Sequence, residues 1–128
     1  MIERDVRDTA PLDALNAALR SGDADNVLGY LAPGAVVWHN DDKIEIDAAE
    51  NMKRLPGLHQ LVDGLDVDIV QCSPMPSGWL QQFVLRGTVR SSGSALAAHN
   101  CVVVHVVDGL ITRIDEYVDP TFGAQLGF

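Results

Sequence analysis

The chain is expected to fold as an α+β protein, because helical periodicity fills its first half, β-type runs fill its second, and Asp108-Gly109 marks a tight hairpin between the last two strands. With 128 residues, 47% of them hydrophobic, it has the size and apolar content of one domain spanning 1–128. No repeat, low-complexity segment or long linker divides it.

Thr9 is placed to cap a helix with Pro11 in its first turn and Leu12, Leu15 and Leu19 on one face, ending at Gly22. Asp23 or Asp25 starts a short second helix carrying Val27, Leu28 and Leu31, and Pro33-Gly34 stops it. Residues 35–39 read as a strand and Asn40-Asp41-Asp42 as a turn. Asp47 and Glu50 have capping-box spacing for a third helix, interrupted at Pro56-Gly57 and resuming over 58–65. Longer β runs follow: 67–73, 79–90, and 95–107 paired with 110–119.

Asp-Gly between two β-rich runs favours a two-residue type I′ turn, which sets Val107 opposite Leu110. Counting outward from that pair places Ala98, Asn100, Val102, Val104 and Val106 with Ile111, Arg113, Asp115, Tyr117 and Asp119. The opposite face then carries His99, Cys101, Val103, His105 and Val107 with Leu110, Thr112, Ile114, Glu116 and Val118. Both faces are apolar near the turn, so helices are expected to cover one and a second copy of the chain the other, giving a homodimer through the sheet. In this register Asp119 and His99 lie on opposite faces, and only one of them looks into the interior unless a bulge intervenes.

A net charge of -9 opposes binding to a phosphate backbone or an anionic membrane, and no basic patch offsets it, so neither nucleic acid nor membrane is an expected partner. The opening MIERDVRDT carries charges of both signs and no apolar run, so no signal peptide is read there and a cytoplasmic protein is expected. Cys72 and Cys101 cannot make a disulfide framework and are expected to be reduced. His99 and His105, six residues apart on a strand, stand too far apart to share a metal, and no metal or other cofactor is expected.

Three N-terminal helices, a long curved mixed sheet and the closing Glu116-Tyr117-Val118-Asp119-Pro120 together resemble the nuclear transport factor 2-like superfamily over essentially the whole chain. That superfamily includes SnoaL-like polyketide cyclases, ketosteroid isomerases, scytalone dehydratases and limonene epoxide hydrolases. The resemblance implies a cone-shaped curved mixed sheet packed on the N-terminal helices and enclosing an apolar pocket. It also implies a cofactor-independent acid–base enzyme, working on an apolar small molecule such as a polyketide, steroid or terpenoid by isomerisation, cyclisation, dehydration or hydrolysis. A non-catalytic binding module, and a structural dimer whose pocket is filled by its own side chains, stand as alternatives.

Against the limonene epoxide hydrolase pattern, Asn40 matches its asparagine while Trp38 replaces a tyrosine. Arg86 matches its arginine while Thr88 replaces an acid, and Asp119 matches its final aspartate. By this resemblance Asp119 is the proton-transfer base, its pKa raised by an apolar wall, with Arg86 holding it, Asn40 orienting a water or carbonyl and Tyr117 donating to an oxyanion. Trp38, Met52, Phe83, Thr88, His99 and Asn100 are the expected ligand-contacting residues.

Overall fold

The structure, a computed structural model, describes residues 8–128; the charged segment read above as lacking a signal peptide lies, up to residue 7, outside the described residues. Helix α1 (Ala10–Ser21) carries Pro11 in its first turn and buries Leu12, Leu15 and Ala18. Thr9 precedes it in a helical conformation, so its hydroxyl cannot reach a backbone N–H and donates instead to Asp13 Oδ2 at 2.9 Å. Gly22 ends the helix with φ 76°, a left-handed turn that glycine adopts without strain, and its N–H closes on Ala18 O. The His59 ring packs where a Gly22 side chain would sit and bonds Leu19 O at 2.8 Å, tying the end of α1 to the helical turn that carries His59.

After the short α2 (Asp25–Leu28), strand β1 (Leu31–His39) runs straight through Pro33-Gly34, which the sequence reading took as a boundary. The pair instead sits in an irregularity between Leu31 and Val36, where proline's missing N–H breaks no ladder bond and Gly34 takes φ 76°. Strand β2 (Glu45–Asp47) leads into α3 (Ala48–Met52), where Asp47 Oδ2 accepts from Glu50 N as the capping-box spacing requires. The break in the following helix falls at Lys53–Arg54, because Pro56 suits the first turn of α4 (Leu55–Leu61). Residues 62–65 are strand rather than helix, with Gly64 in a bulge at φ 64°.

Strands β3 (Val62–Met75), β4 (Gly78–Val89), β5 (Ala95–Val107) and β6 (Leu110–Tyr117) complete a six-stranded sheet in the order β2-β1-β6-β5-β4-β3. Only the β1–β6 pairing is parallel, so the sheet is mixed, curved and unclosed, with a short α5 (Phe122–Gln125) after it. The fold is the cone-like α+β architecture expected. Among the described residues no helix is long and apolar enough to cross a membrane.

The Asp108-Gly109 turn forms as read, with φ 51° and 79° and Val107 opposite Leu110. The register then slips. Val106 pairs with Ile111 but His105 pairs with Arg113, so Thr112 is the extra residue of a bulge and every later side chain of β6 changes face. Ile111 and Ile114, 0% and 2% exposed, consequently both enter the core. Glu116 turns inward beside Val102, and Asp115 and Tyr117 turn outward with Val103 and Cys101, the reverse of the expected assignment.

Candidate active site

On β1, Ala35 and Val37 face the core, and His39 continues that face at the strand's end. The bulge in β6 sets Ile114 and Glu116 on the same side, and the parallel register lays Glu116 beside His39. The result is an ion pair between His39 Nε2 and Glu116 Oε2 at 3.3 Å, with side chains only 17% and 24% exposed. The hydrogen bond to Glu116 raises the His39 pKa above 6.5; burial opposes it, and the nearby Asp41 and Asp42 reinforce it. Glu116 Oε1 has no hydrogen-bond partner among the described residues.

The pair opens into a cavity of about 190 Å³ between the inner face of the sheet and the helices. Leu15 and Leu19 come from α1, Met52 from α3, Leu55 and Leu58 from α4, and Phe83, Leu85, Val102 and Ile114 from the sheet. Its polar lining is His39, Glu116, Asn51, Arg54 and Gln81. Gln81, fully buried, is matched by Asn16 of α1 in two reciprocal amide bonds of 2.9 Å each, so its donor and acceptor are both satisfied while it fixes the helix against the sheet. Such a space can hold an apolar molecule against a titratable pair from which water is largely excluded.

Phe83 and Met52 are the expected ligand-contacting residues that line this cavity. The others lie elsewhere. Asp119 follows β6 and is not set in an apolar wall: Oδ1 accepts from Thr121 N at 2.8 Å and Thr121 Oγ1 at 2.7 Å, and Oδ2 from His99 N at 3.1 Å. These bonds, the Thr121 hydroxyl's first, lower its pKa, the opposite of the expected direction. Arg86 does not meet it; its guanidinium pairs with Asp68 across β3–β4 at 3.2 Å, both side chains more than half exposed. Asn40 uses Oδ1 to accept from Val118 N at 2.8 Å, pinning the end of β6.

Tyr117 is outward and packs edge-on against Trp38 with ring centroids 5.5 Å apart, so neither reaches the cavity. Thr88 is exposed opposite Asp63 and Ala95. Asn100 is buried, its Oδ1 accepting from Asp119 N at 2.8 Å. A broad open groove of about 560 Å³ does gather His99, Asn100, Tyr117 and Asp119 on the other face of the sheet. Although larger, it is less enclosed and its only carboxylate is committed to the turn, so the inner cavity is the better place for proton chemistry.

The outer face also carries a charged chain, in which Arg113 reaches Glu45 and Asp115 at 2.7 Å each and His105 meets Asp115 at 3.0 Å. Burial works against ionising Asp115, but the hydrogen bonds from His105 and Arg113 outweigh it and its pKa is lowered.

His39 and Glu116 were missed as a pair because the sequence reading carried a regular register past Thr112. One signal was available. In Ile111-Thr-Arg-Ile114 two large apolar residues stand three apart, and a regular strand cannot bury both on one face, whereas a bulged one can.

Comparison with known proteins bears on this architecture. Three examples stand among the solved structures that share the fold. A hypothetical protein with a ketosteroid isomerase-like fold from Catenulispora acidiphila DSM 44928, in complex with trimethylamine, superposes with TM-score 0.76 at 13% identity, covering 92% of each chain. Wild-type IdmH from Streptomyces antibioticus, a proposed polyketide cyclase, gives TM-score 0.77 at 19% identity over 92% of this chain and 96% of its own. AclR from Streptomyces galilaeus, a proposed hydroxylase, gives 0.78 at 15% identity over 93% and 83%. At these identities the likeness shows the fold alone. No curated protein matches the chain. The profile of the SnoaL-like domain matches residues 12–114, from the first buried leucine of α1 to the inward isoleucine beyond the β6 bulge, and the chain therefore belongs to the SnoaL-like domain family.

Proposed function

We propose that this protein is a cofactor-independent acid–base enzyme that moves a proton on a small, mostly apolar molecule, with Glu116 as base and His39 as its positioning partner. The observation that carries this reading is the 3.3 Å His39–Glu116 pair at the wall of a mostly apolar cavity. The free Oε1 of Glu116 takes a proton from a carbon next to a ligand carbonyl, and the C–H electron pair moves onto the carbonyl oxygen as an enolate. Glu116 then returns the proton at a second carbon. His39, as imidazolium, holds Oε2 and so orients the carboxylate, and the same hydrogen bond raises the imidazole's own pKa. Asn51, on the same cavity wall, offers its amide to the enolate oxygen. The same first step opens an isomerisation, an aldol-type cyclisation or a dehydration, which accords with the polyketide cyclase proposed among the fold relatives.

Incubation with cyclohexenone in deuterium oxide tests this proposal, with mass spectrometry following deuterium uptake at the acidic carbons. The protein is expected to accelerate uptake above buffer, and the rate is expected to fall as pH rises through the elevated pKa of His39. No acceleration at any pH would refute the reading.

A filled, purely structural pocket is disfavoured. Trp38, one of the bulky residues available to fill it, lies on the other face of the sheet, and Met52 and Phe83 leave the space open. A second copy of the chain is proposed to cover the outer sheet face, where Val70 and Tyr117 are 65% and 47% exposed. Sedimentation equilibrium is expected to return twice the chain mass; a monomer at micromolar concentration would contradict this assembly.

A further inference from the structure

The sequence holds 18 acidic residues against 9 basic ones, so a cation on this surface finds a carboxylate readily. Arg20 pairs with Asp66, Lys53 with Glu50, Arg86 with Asp68, Arg90 with Asp63, and Arg113 with Glu45 and Asp115. Arg54 departs from this pattern. Its backbone bonds to Asn51 and Leu58, but its guanidinium has no ion pair or hydrogen bond among the described residues, and the adjacent Lys53 occupies Glu50. Lys43, likewise without a carboxylate, sits in the turn after β1 and does not line the cavity. Arg54 is exposed and lines the cavity that holds His39 and Glu116, which places an unpaired planar cation at its rim.

Size narrows the ligand further. A cavity of about 190 Å³ is little larger than the ~150 Å³ that accepts benzene and falls below the ~300–1,000 Å³ of ordinary ligand sites. A tetracyclic skeleton does not fit inside it, whereas one ring or a chain of similar bulk does.

We propose that the molecule taken by this cavity is a small carboxylic acid, its carboxylate paired with Arg54 at the rim and its apolar body directed inward to Glu116; this rests on the proton-transfer reading of the same cavity. A single guanidinium fork matches a monoanionic carboxylate in two parallel bonds. A phosphate dianion would meet the field of a chain of net charge -9 with only that one cation to offset it. Repulsion by Glu116 works in the same direction, keeping the acid end outward and presenting carbons remote from the carboxylate to the base.

Calorimetric titration of the full chain with hydrocinnamate and with its neutral analogue hydrocinnamyl alcohol tests the assignment, using the wild type, Arg54→Gln and Arg54→Lys. Hydrocinnamate is expected to bind about fivefold or more tightly than the alcohol in the wild type. Arg54→Gln is expected to remove that preference while leaving the alcohol's affinity unchanged, and Arg54→Lys to retain part of it. Equal binding of the two probes, binding of neither, or a preference that survives in Arg54→Gln would overturn the proposal. A carboxylate preference dependent on Arg54, in a protein that fails to accelerate deuterium uptake, would instead sink the proton-transfer reading and leave the role of Arg54 in place.

Discussion

Glu116→Gln is expected to slow deuterium uptake into cyclohexenone by a factor of about 10²–10⁴, the usual contribution of a positioned general base, while the folded structure persists. The substitution is nearly isosteric and keeps a group able to hydrogen-bond His39, but an amide cannot accept the substrate proton. Asp119→Asn provides the contrast. Its carboxylate serves Thr121 and the His99 N–H, so its loss is expected to loosen the turn after β6 while leaving the exchange rate within about threefold of wild type, because surface substitutions away from the reacting atoms carry small free-energy changes. Circular dichroism on both variants separates loss of chemistry from loss of fold. Equal rates in wild type and Glu116→Gln would remove Glu116 as the base.

The two titrating ends of this region respond to pH in opposite senses. A histidine whose folded pKa is raised stabilises the fold fully below its unfolded value of about 6.5, and that stabilisation is lost as pH rises through the folded value of His39. Asp119 and Asp115 have depressed folded pKa values, so their contributions are present above about 3.8 and are lost as pH falls through the lower folded values. The His39–Glu116 pair therefore weakens on the alkaline side, where the proposed activity also declines, while the contributions of Asp119 to its turn and of Asp115 to the outer face are lost in acid.

The second large effect is expected at the buried amide pair. Gln81→Leu leaves the Asn16 amide in an apolar interior with neither of its side-chain partners, at a cost of about 2–4 kcal/mol for an unsatisfied donor and acceptor. Urea denaturation is expected to show that loss, and the double substitution Asn16→Leu with Gln81→Leu is expected to recover more than half of it, because no polar group then remains stranded. If the two single losses simply add in the double variant, the reciprocal bonding is not what holds α1 to the sheet.

What the sequence disclosed follows from how local each cause was. The Asp108-Gly109 turn needs only two residues tolerant of positive φ, the Asp47 cap only a carboxylate three residues before an N–H, and both formed where expected. The α+β class was legible because helical and β-type patterns occupy separate stretches. The site was not legible, because it depends on two nonlocal facts: β1 runs parallel beside β6, and one inserted residue at Thr112 inverts everything beyond it. A single step of parity moved Tyr117 out of the interior and Glu116 into it. That Arg86 pairs with Asp68 and not with Asp119 follows from the β3–β4 register, which spacing in the sequence does not reveal. Arg54 is inconspicuous in the sequence for the same reason, since a cation stands out for lacking a partner only once the others have found theirs.

The most direct measurement is the titration of the His39 imidazole by NMR in the wild type and in Glu116→Gln. The wild-type midpoint is expected above 6.5, and removing the carboxylate is expected to lower it, because the hydrogen bond that raises the pKa is weakened while the burial that depresses it stays. Identical midpoints in the two proteins would show that the imidazole and this carboxylate do not interact in the cavity, and the proposed proton-transfer centre would not exist.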